Sequence, residues 1–108
     1  MGVETLPHYT EKWQSSGHLY ITRVPGINSE ERQEIIVKMA EVGIATNVHY
    51  KPLPMMTAYK NLGLDIKDYP NAYARFANEI TLPLHTRLTD EDVEYIIEHY
   101  RGIVKEYV

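Results

Sequence analysis

The chain has no cysteine among its 108 residues. It therefore forms no disulfide, binds no metal through thiolates and has no thiol nucleophile. Small secreted domains are often held together by disulfides, so this absence favours a reducing compartment, and we expect a cytoplasmic protein. A chain of this length buries about two-thirds of the surface that its unfolded form exposes, so it can fold as one domain without cross-links.

Long apolar runs and an excess of basic residues are also missing. No stretch is apolar for long enough to cross a bilayer, and the N-terminus lacks the pattern of a signal peptide. The chain has 11 basic and 15 acidic residues, for a net charge of −4. A nucleic-acid-binding domain typically has a basic face. We therefore expect neither a membrane nor a nucleic acid as a partner.

The sequence contains no phosphate-binding loop, no G-x-G-x-x-G motif and no nucleophile elbow. Its histidines are not spaced as metal ligands: His8, His18, His49, His85 and His99. A metal-dependent hydrolase is therefore the weakest of the functions considered, and we expect no metal site.

Three segments are predicted to be strands. Residues 18–24, HLYITRV, alternate in polarity and end at a Pro-Gly turn, and residues 44–50, IATNVHY, alternate in the same way. Residues 80–84, ITLPL, form a shorter apolar segment whose pairing must end near Pro83, because proline has no amide hydrogen to donate.

Helices are predicted between these strands and after the last one. Asn28 with Glu31, and Thr89 with Asp92, have the spacing of capping boxes, and Gly43 suits the left-handed end of the first helix. Apolar spacing also indicates helices over residues 54–62 and from Pro70 onward.

This order of elements predicts an α/β fold, in the form of a small α+β sandwich. We expect a three-stranded, mainly antiparallel sheet with helices packed on one face. The third strand is expected to lie between the first two and antiparallel to both. Residues 1–16 show no period and are interpreted either as a lead-in across the core through Trp13 or as a partly disordered terminus, with the domain proper over residues 17–108.

A polar cluster lies where the second predicted strand gives way to a proline-stiffened loop. It comprises Asn47, His49, Tyr50 and Lys51, followed by Pro52. Binding residues concentrate on loops held by a rigid scaffold, so this is the candidate binding site. An ordinary solvated strand face explains the same residues equally well, and both interpretations remain open from residue types alone.

Several motifs in the correct order favour the first interpretation. The specific ones are G-I-x-T-x-V-H-Y-x-P-L over residues 43–53 and L-P-L-H-x-x-L-T-D-E-D over residues 82–92, together with HLYITRV and AYKNLG. With these motifs, residues 16–107 resemble the C-terminal small domain of DegT/DnrJ/StrS-type aminotransferases. Members of that family are fold-type I enzymes that use pyridoxal 5′-phosphate (PLP) to aminate keto groups of nucleotide-linked sugars for polysaccharides or antibiotics.

The resemblance implies that most of the catalytic machinery lies elsewhere. In the family, the lysine that binds PLP belongs to a large N-terminal domain, and none of the lysines here matches its motif: Lys12, Lys38, Lys51, Lys60, Lys67 and Lys105. We therefore expect no catalysis and no bound PLP in this chain alone. The implied partners are the missing N-terminal domain, a nucleotide sugar, an amino-acid donor and a second copy of the intact enzyme.

The resemblance also assigns roles at the polar cluster. It implies that His49 and Tyr50 contact the substrate, with Asn47 and Lys51 as neighbours and Lys51 as a positive charge for a pyrophosphate. Many relatives have a histidine where this chain has Pro54. The competing hypothesis is a free-standing α/β module that senses a ligand or binds a protein without catalysis.

Overall fold

The computed structural model, which describes residues 2–108, contains a small sheet of short antiparallel strands and two long helices. The strands are β1 (Glu4–Thr5), β2 (Tyr20–Arg23) and β3 (Glu79–Leu82). The helices are α1 (Ser29–Glu41), α2 (Thr57–Lys60), α3 (Pro70–Ala77) and α4 (Asp90–Val104), with 3₁₀ turns at Leu53–Met55 and Ile66–Asp68. This arrangement confirms the predicted α/β fold class.

The central strand of the sheet is β2, which pairs antiparallel with β1 on one side and with β3 on the other. Thr22 lies opposite Ile80, and Ile21 lies opposite Thr81. The free edge of β3 forms one further antiparallel bridge, between Thr81 and Asn47. The segment 79–82 thus lies between residues 20–23 and Asn47, antiparallel to both, as the sequence predicted.

The prediction of a full strand over residues 44–50 is wrong, because only Asn47 pairs with the sheet. The backbone amides that follow are bound by side chains instead of by a neighbouring strand. The Val48 amide donates to the Asn47 side chain at 2.8 Å, and the His49 amide donates to the carboxylate of Glu79, also at 2.8 Å. Side-chain acceptors of this kind compete with regular pairing.

Strand β1 lies within residues 1–16, the segment predicted to be a lead-in, and it completes the three-stranded sheet. Glu4 pairs with Arg23, and their side chains form an ion pair at 3.2 Å. Contact with the core is made by Val3, whereas Trp13 remains half-exposed. The lead-in is therefore held to the domain by sheet pairing at the edge of β2, without Trp13 lying across the core.

The core lies between one face of the sheet and the two long helices. Its buried apolar residues are Val24, Ile27, Ile35, Met39, Ile44, Ile80, Ile96, Tyr100 and Val104. Burying a large apolar side chain contributes about 1.5–3 kcal/mol, so these contacts fix α1 and α4 on the sheet. No helix in the described part of the chain is long and apolar enough to cross a membrane.

Both predicted capping boxes are present. Asn28 and Glu31 cap α1, and Thr89 and Asp92 cap α4. Gly43 has a φ of +80°, the left-handed conformation predicted for the end of the first helix. The helix expected over residues 54–62 is much shorter, because the 3₁₀ turn at Leu53–Met55 takes up its start and α2 has only four residues.

A hydrogen bond inside the core joins α4 to the sheet. The Thr22 hydroxyl donates to the Ile80 carbonyl at 2.6 Å, so it accepts from the Tyr100 hydroxyl at 2.7 Å. Tyr100 is only 4% exposed. Burial raises the pKa of Tyr100 to about 12, although the Thr22 hydrogen bond opposes that shift.

Ionisation of the Tyr100 hydroxyl should lower the free energy of unfolding in alkaline solution. Its pKa is about 10 in the unfolded chain, so the stability from the neutral buried phenol is complete below pH 10 and is lost as the pH rises towards 12. At pH 8 we expect Tyr100→Phe to be about 1 kcal/mol less stable than the wild type in urea unfolding. By pH 11 the wild type should lose about 1.4 kcal/mol through this group, which closes the gap.

The matched control is Tyr9→Phe, because Tyr9 is 75% exposed. This variant should follow the wild type at both pH values. A Tyr100→Phe variant that stays equally far below the wild type at pH 8 and pH 11 would contradict the assignment.

Candidate functional site

His49 is fixed to β3 by two hydrogen bonds. Its amide donates to Oε2 of Glu79 at 2.8 Å, and its ring Nδ1 lies 2.9 Å from the hydroxyl of Thr81. The same hydroxyl donates to Oε1 of Glu79 at 2.5 Å. Backbone, ring, hydroxyl and carboxylate therefore form one connected network.

Strand periodicity explains why Glu79 and Thr81 act together. Residues two apart on a strand point to the same side of a sheet. Glu79 and Thr81 therefore point to one face of the sheet, and Ile80 points to the other face, where the core lies. Glu79 is 4% exposed and Thr81 is 5% exposed. A buried carboxylate is costly unless its oxygens are hydrogen-bonded, and here both oxygens accept from the His49 and Thr81 donors.

The positive charge of Arg32, on α1, interacts with the Glu79 carboxylate of this network. Burial lowers the pKa of its guanidinium, and the negative charge of Glu79 opposes that shift. Arg32 also donates to the Phe76 carbonyl at 2.6 Å and lies 4.4 Å from the centre of the Phe76 ring. The arginine thus links α1 to the end of α3.

A shallow groove of about 540 Å³ runs beside the network, between the loop after His49 and helix α3. His49 and Tyr50 lie on one side, Arg75 and Phe76 lie on the other, and Glu79 contributes to the lining. Arg75 is exposed and forms no ion pair within residues 2–108. The groove therefore offers an imidazole, a phenol and a free guanidinium to a ligand.

His49 also borders a second depression, of about 310 Å³, on the side of Asn47 and Thr81. His18 lies in its wall. His49 is thus a lining residue of both hollows.

The four residues predicted for the site differ from one another in exposure and in the contacts that they make. The Tyr50 ring meets His49 edge-on, with centroids 4.5 Å apart, and is 68% exposed. Asn47 is exposed and exchanges two backbone hydrogen bonds with Thr81, at 3.1 and 2.8 Å. Lys51 is exposed beyond the turn. His49 and Asn47 thus both bind Thr81, and Tyr50 contacts the His49 ring, whereas no hydrogen bond or ring contact joins Lys51 to them in the described part of the chain.

Sequence reasoning missed Glu79, Thr81 and Arg75. A signal for the first two exists, since a glutamate and a threonine two positions apart on a short apolar strand must share its outer face. Arg75 has no comparable signal, because only the packing of α3 beside the loop brings it to the groove. No group of three metal-binding side chains occurs anywhere in the described part of the chain.

The sequence profile of the DegT/DnrJ/EryC1/StrS aminotransferase family matches residues 2–101. Among curated proteins, the spore coat polysaccharide biosynthesis protein SpsC of Bacillus subtilis is 32% identical over 102 residues. That alignment covers 92% of this chain and 26% of the relative.

Solved structures give the same result. The putative sugar aminotransferase Spr1654 of Streptococcus pneumoniae, in its PLP form, is 58% identical with a TM-score of 0.95. It matches 99% of this chain, which covers 27% of that structure. Helicobacter pylori PseC, an aminotransferase involved in the biosynthesis of pseudoaminic acid, is 26% identical with a TM-score of 0.70, over 87% of this chain and 25% of its own. The chain thus spans about a quarter of the length of these proteins.

The contacts of Glu79 predict that its loss weakens the domain. Glu79→Ala removes the acceptor of the His49 amide and of the Thr81 hydroxyl, and each buried unpaired group costs about 1–3 kcal/mol. We expect a lower urea midpoint and faster hydrogen exchange of the His49 amide. Glu79→Gln keeps an acceptor oxygen and should be milder.

The surface control is Glu98→Ala, since Glu98 is exposed on α4. It should leave both the midpoint and the His49 exchange rate unchanged. Equal midpoints and equal exchange rates for Glu79→Ala and Glu98→Ala would show that the buried network adds no stability.

Proposed function

The chain belongs to the DegT/DnrJ/EryC1/StrS aminotransferase family, and we propose that it is the C-terminal small domain of a PLP-dependent enzyme that aminates a keto group on a nucleotide-linked sugar. The observation that carries this proposal is the 58% identity to the putative sugar aminotransferase Spr1654 over 99% of the chain. The name of SpsC supports a sugar destined for a cell-surface polysaccharide, and an antibiotic sugar is the other product class that we include.

The lysines of this chain do not suit a Schiff base with PLP. Such a lysine needs a desolvated site that lowers its pKa. Five of the six lysines are exposed, and the sixth, Lys38, pairs with Glu106, a contact that raises its pKa. We therefore place the cofactor in the part of the enzyme that lies outside this chain, and expect this chain alone to be inactive.

Within the intact enzyme, the groove beside His49 would form one wall of the substrate site. His49 offers a ring nitrogen for a hydrogen bond to the substrate, and the exposed Tyr50 ring offers an apolar face with a hydroxyl at its tip. Arg75 and Lys51 supply the positive charge that a pyrophosphate requires. Asn47 adds an amide at the neighbouring hollow.

Other features of the proposed enzyme follow its family. We infer that the intact protein works in the cytoplasm as a homodimer and takes its amino group from an amino acid, and that PLP would supply the electron sink for the transfer. The contribution of this chain is to bind and orient the sugar nucleotide. It supplies no covalent step of its own.

The location of the cofactor can be tested by absorbance. We expect the 108-residue chain mixed with PLP and then dialysed to retain no visible band of an internal aldimine, because its lysines are solvated or ion-paired and hold the aldehyde only reversibly. The N-terminally extended enzyme should show the band. A band from the short chain that disappears when one of its lysines is replaced would refute the proposal.

The role of His49 can be tested in the extended enzyme. We expect His49→Ala to lower kcat/KM for the nucleotide sugar about 10-fold or more, as expected for the loss of a hydrogen bond to the substrate, while the PLP band is retained. The control is His99→Ala, since His99 lies on α4 and contacts the Tyr95 carbonyl. Equal kinetics for both variants would remove His49 from the substrate site.

A further inference from the structure

We propose that Thr81 and Glu79 are positioning residues that hold the neutral His49 ring with its proton on Nδ1, so that Nε2 is a hydrogen-bond acceptor beside the two hollows that His49 lines. The nitrogen then receives a hydroxyl or amine hydrogen of the ligand and does not donate to a phosphate oxygen. Only this last step, the contact with substrate, rests on the proposed function. The protonation pattern depends on contacts within this chain.

The first step is the direction of the Thr81 hydroxyl. A hydroxyl has one proton and two acceptor positions. Oε1 of Glu79 lies 2.5 Å away and, as a carboxylate oxygen, only accepts. The Thr81 proton is therefore directed to Glu79, and its remaining positions on oxygen can only accept.

The second step determines which nitrogen of the His49 ring has the proton. Nδ1 of His49 lies 2.9 Å from the Thr81 hydroxyl oxygen. Because that oxygen has no second proton to give, the hydrogen bond between them exists only when Nδ1 is the donor. In the neutral imidazole the other nitrogen, Nε2, then has a lone pair.

The third step concerns access to Nε2. This atom has no hydrogen-bond partner in the described part of the chain. The residue as a whole is half-buried, but Nε2 itself is not one of the buried atoms that lack a partner. Nε2 is therefore reached by solvent, and it is the polar atom of the ring that remains for a ligand. Both hollows include His49 in their walls.

The network is rigid enough to impose this choice. Glu79 and Thr81 are almost fully buried. The Asn47 bridge holds Thr81 from one side through two backbone hydrogen bonds, and the His49 amide binds the second oxygen of Glu79. Packing and hydrogen bonds that lock a site residue are what preorganise it for binding.

This assignment divides the recognition of a nucleotide sugar among different groups. Phosphate oxygens accept hydrogen bonds, so a lone pair on Nε2 disfavours them, whereas the exposed guanidinium of Arg75 suits them. Sugar hydroxyls, amides and amines carry hydrogens and match Nε2. We therefore assign His49 to the sugar part of the ligand and Arg75 to the diphosphate.

The test is nitrogen NMR of the 108-residue chain, at a pH where the imidazole is neutral. We expect the His49 signals to show a protonated Nδ1 and an unprotonated Nε2. Thr81→Val should abolish this fixed preference, and Thr81→Ser, which keeps the hydroxyl, should restore it. A wild-type ring protonated on Nε2 would overturn the proposal, as would a Thr81→Val variant with an unchanged ring.

Kinetics of the extended enzyme separate the two proposals. If both hold, Thr81→Val lowers kcat/KM for the nucleotide sugar about as much as His49→Ala does, and Thr81→Ser recovers most of it. If the NMR result holds while both variants turn over normally, the positioning is correct and the substrate role of His49 fails. If Thr81→Val does not fold, the wild-type and Thr81→Ser spectra still decide the protonation pattern.

Discussion

A buried carboxylate at the first residue of β3 organises the face of the sheet on which His49 lies. Glu79 accepts from the His49 amide and from the Thr81 hydroxyl, and it lies in the field of Arg32. An ionised group so far from water is stable only when its oxygens are occupied. The loop after Asn47 must therefore approach the sheet closely enough to supply a backbone donor, and this requirement places His49.

The two faces of β3 have different physical tasks. Ile80 is fully buried between the helices, in the same layer as the Thr22–Tyr100 hydrogen bond. Glu79 and Thr81, one position to either side, point away from that layer and hold the histidine. A substitution on one face of β3 therefore alters few direct contacts of the other face. The core supports the strand, but the residues that bind His49 are not part of the apolar core.

Sequence reasoning succeeded where the determinants are local. The capping residues Asn28 and Thr89 act within three positions along the chain, and Pro83 marks the end of β3. It failed over residues 44–50, where alternation predicted a strand but the His49 amide binds a carboxylate 30 positions away. Periodicity cannot reveal such a partner, because side-chain acceptors that replace strand pairing are chosen by the tertiary fold.

The hydrogen-bond network around His49 and the groove beside it differ in how far this chain completes them. The contacts that orient His49 lie within this chain, since Thr81, Glu79 and the Asn47 bridge complete them. The groove beside it is shallow and has protein on only part of its boundary, and the chain spans about a quarter of its relatives. A side chain that is already oriented loses little conformational freedom when a ligand binds to it. Under the proposed function, His49 would bring an oriented ring to a site whose other walls and reactive chemistry belong to the rest of the enzyme.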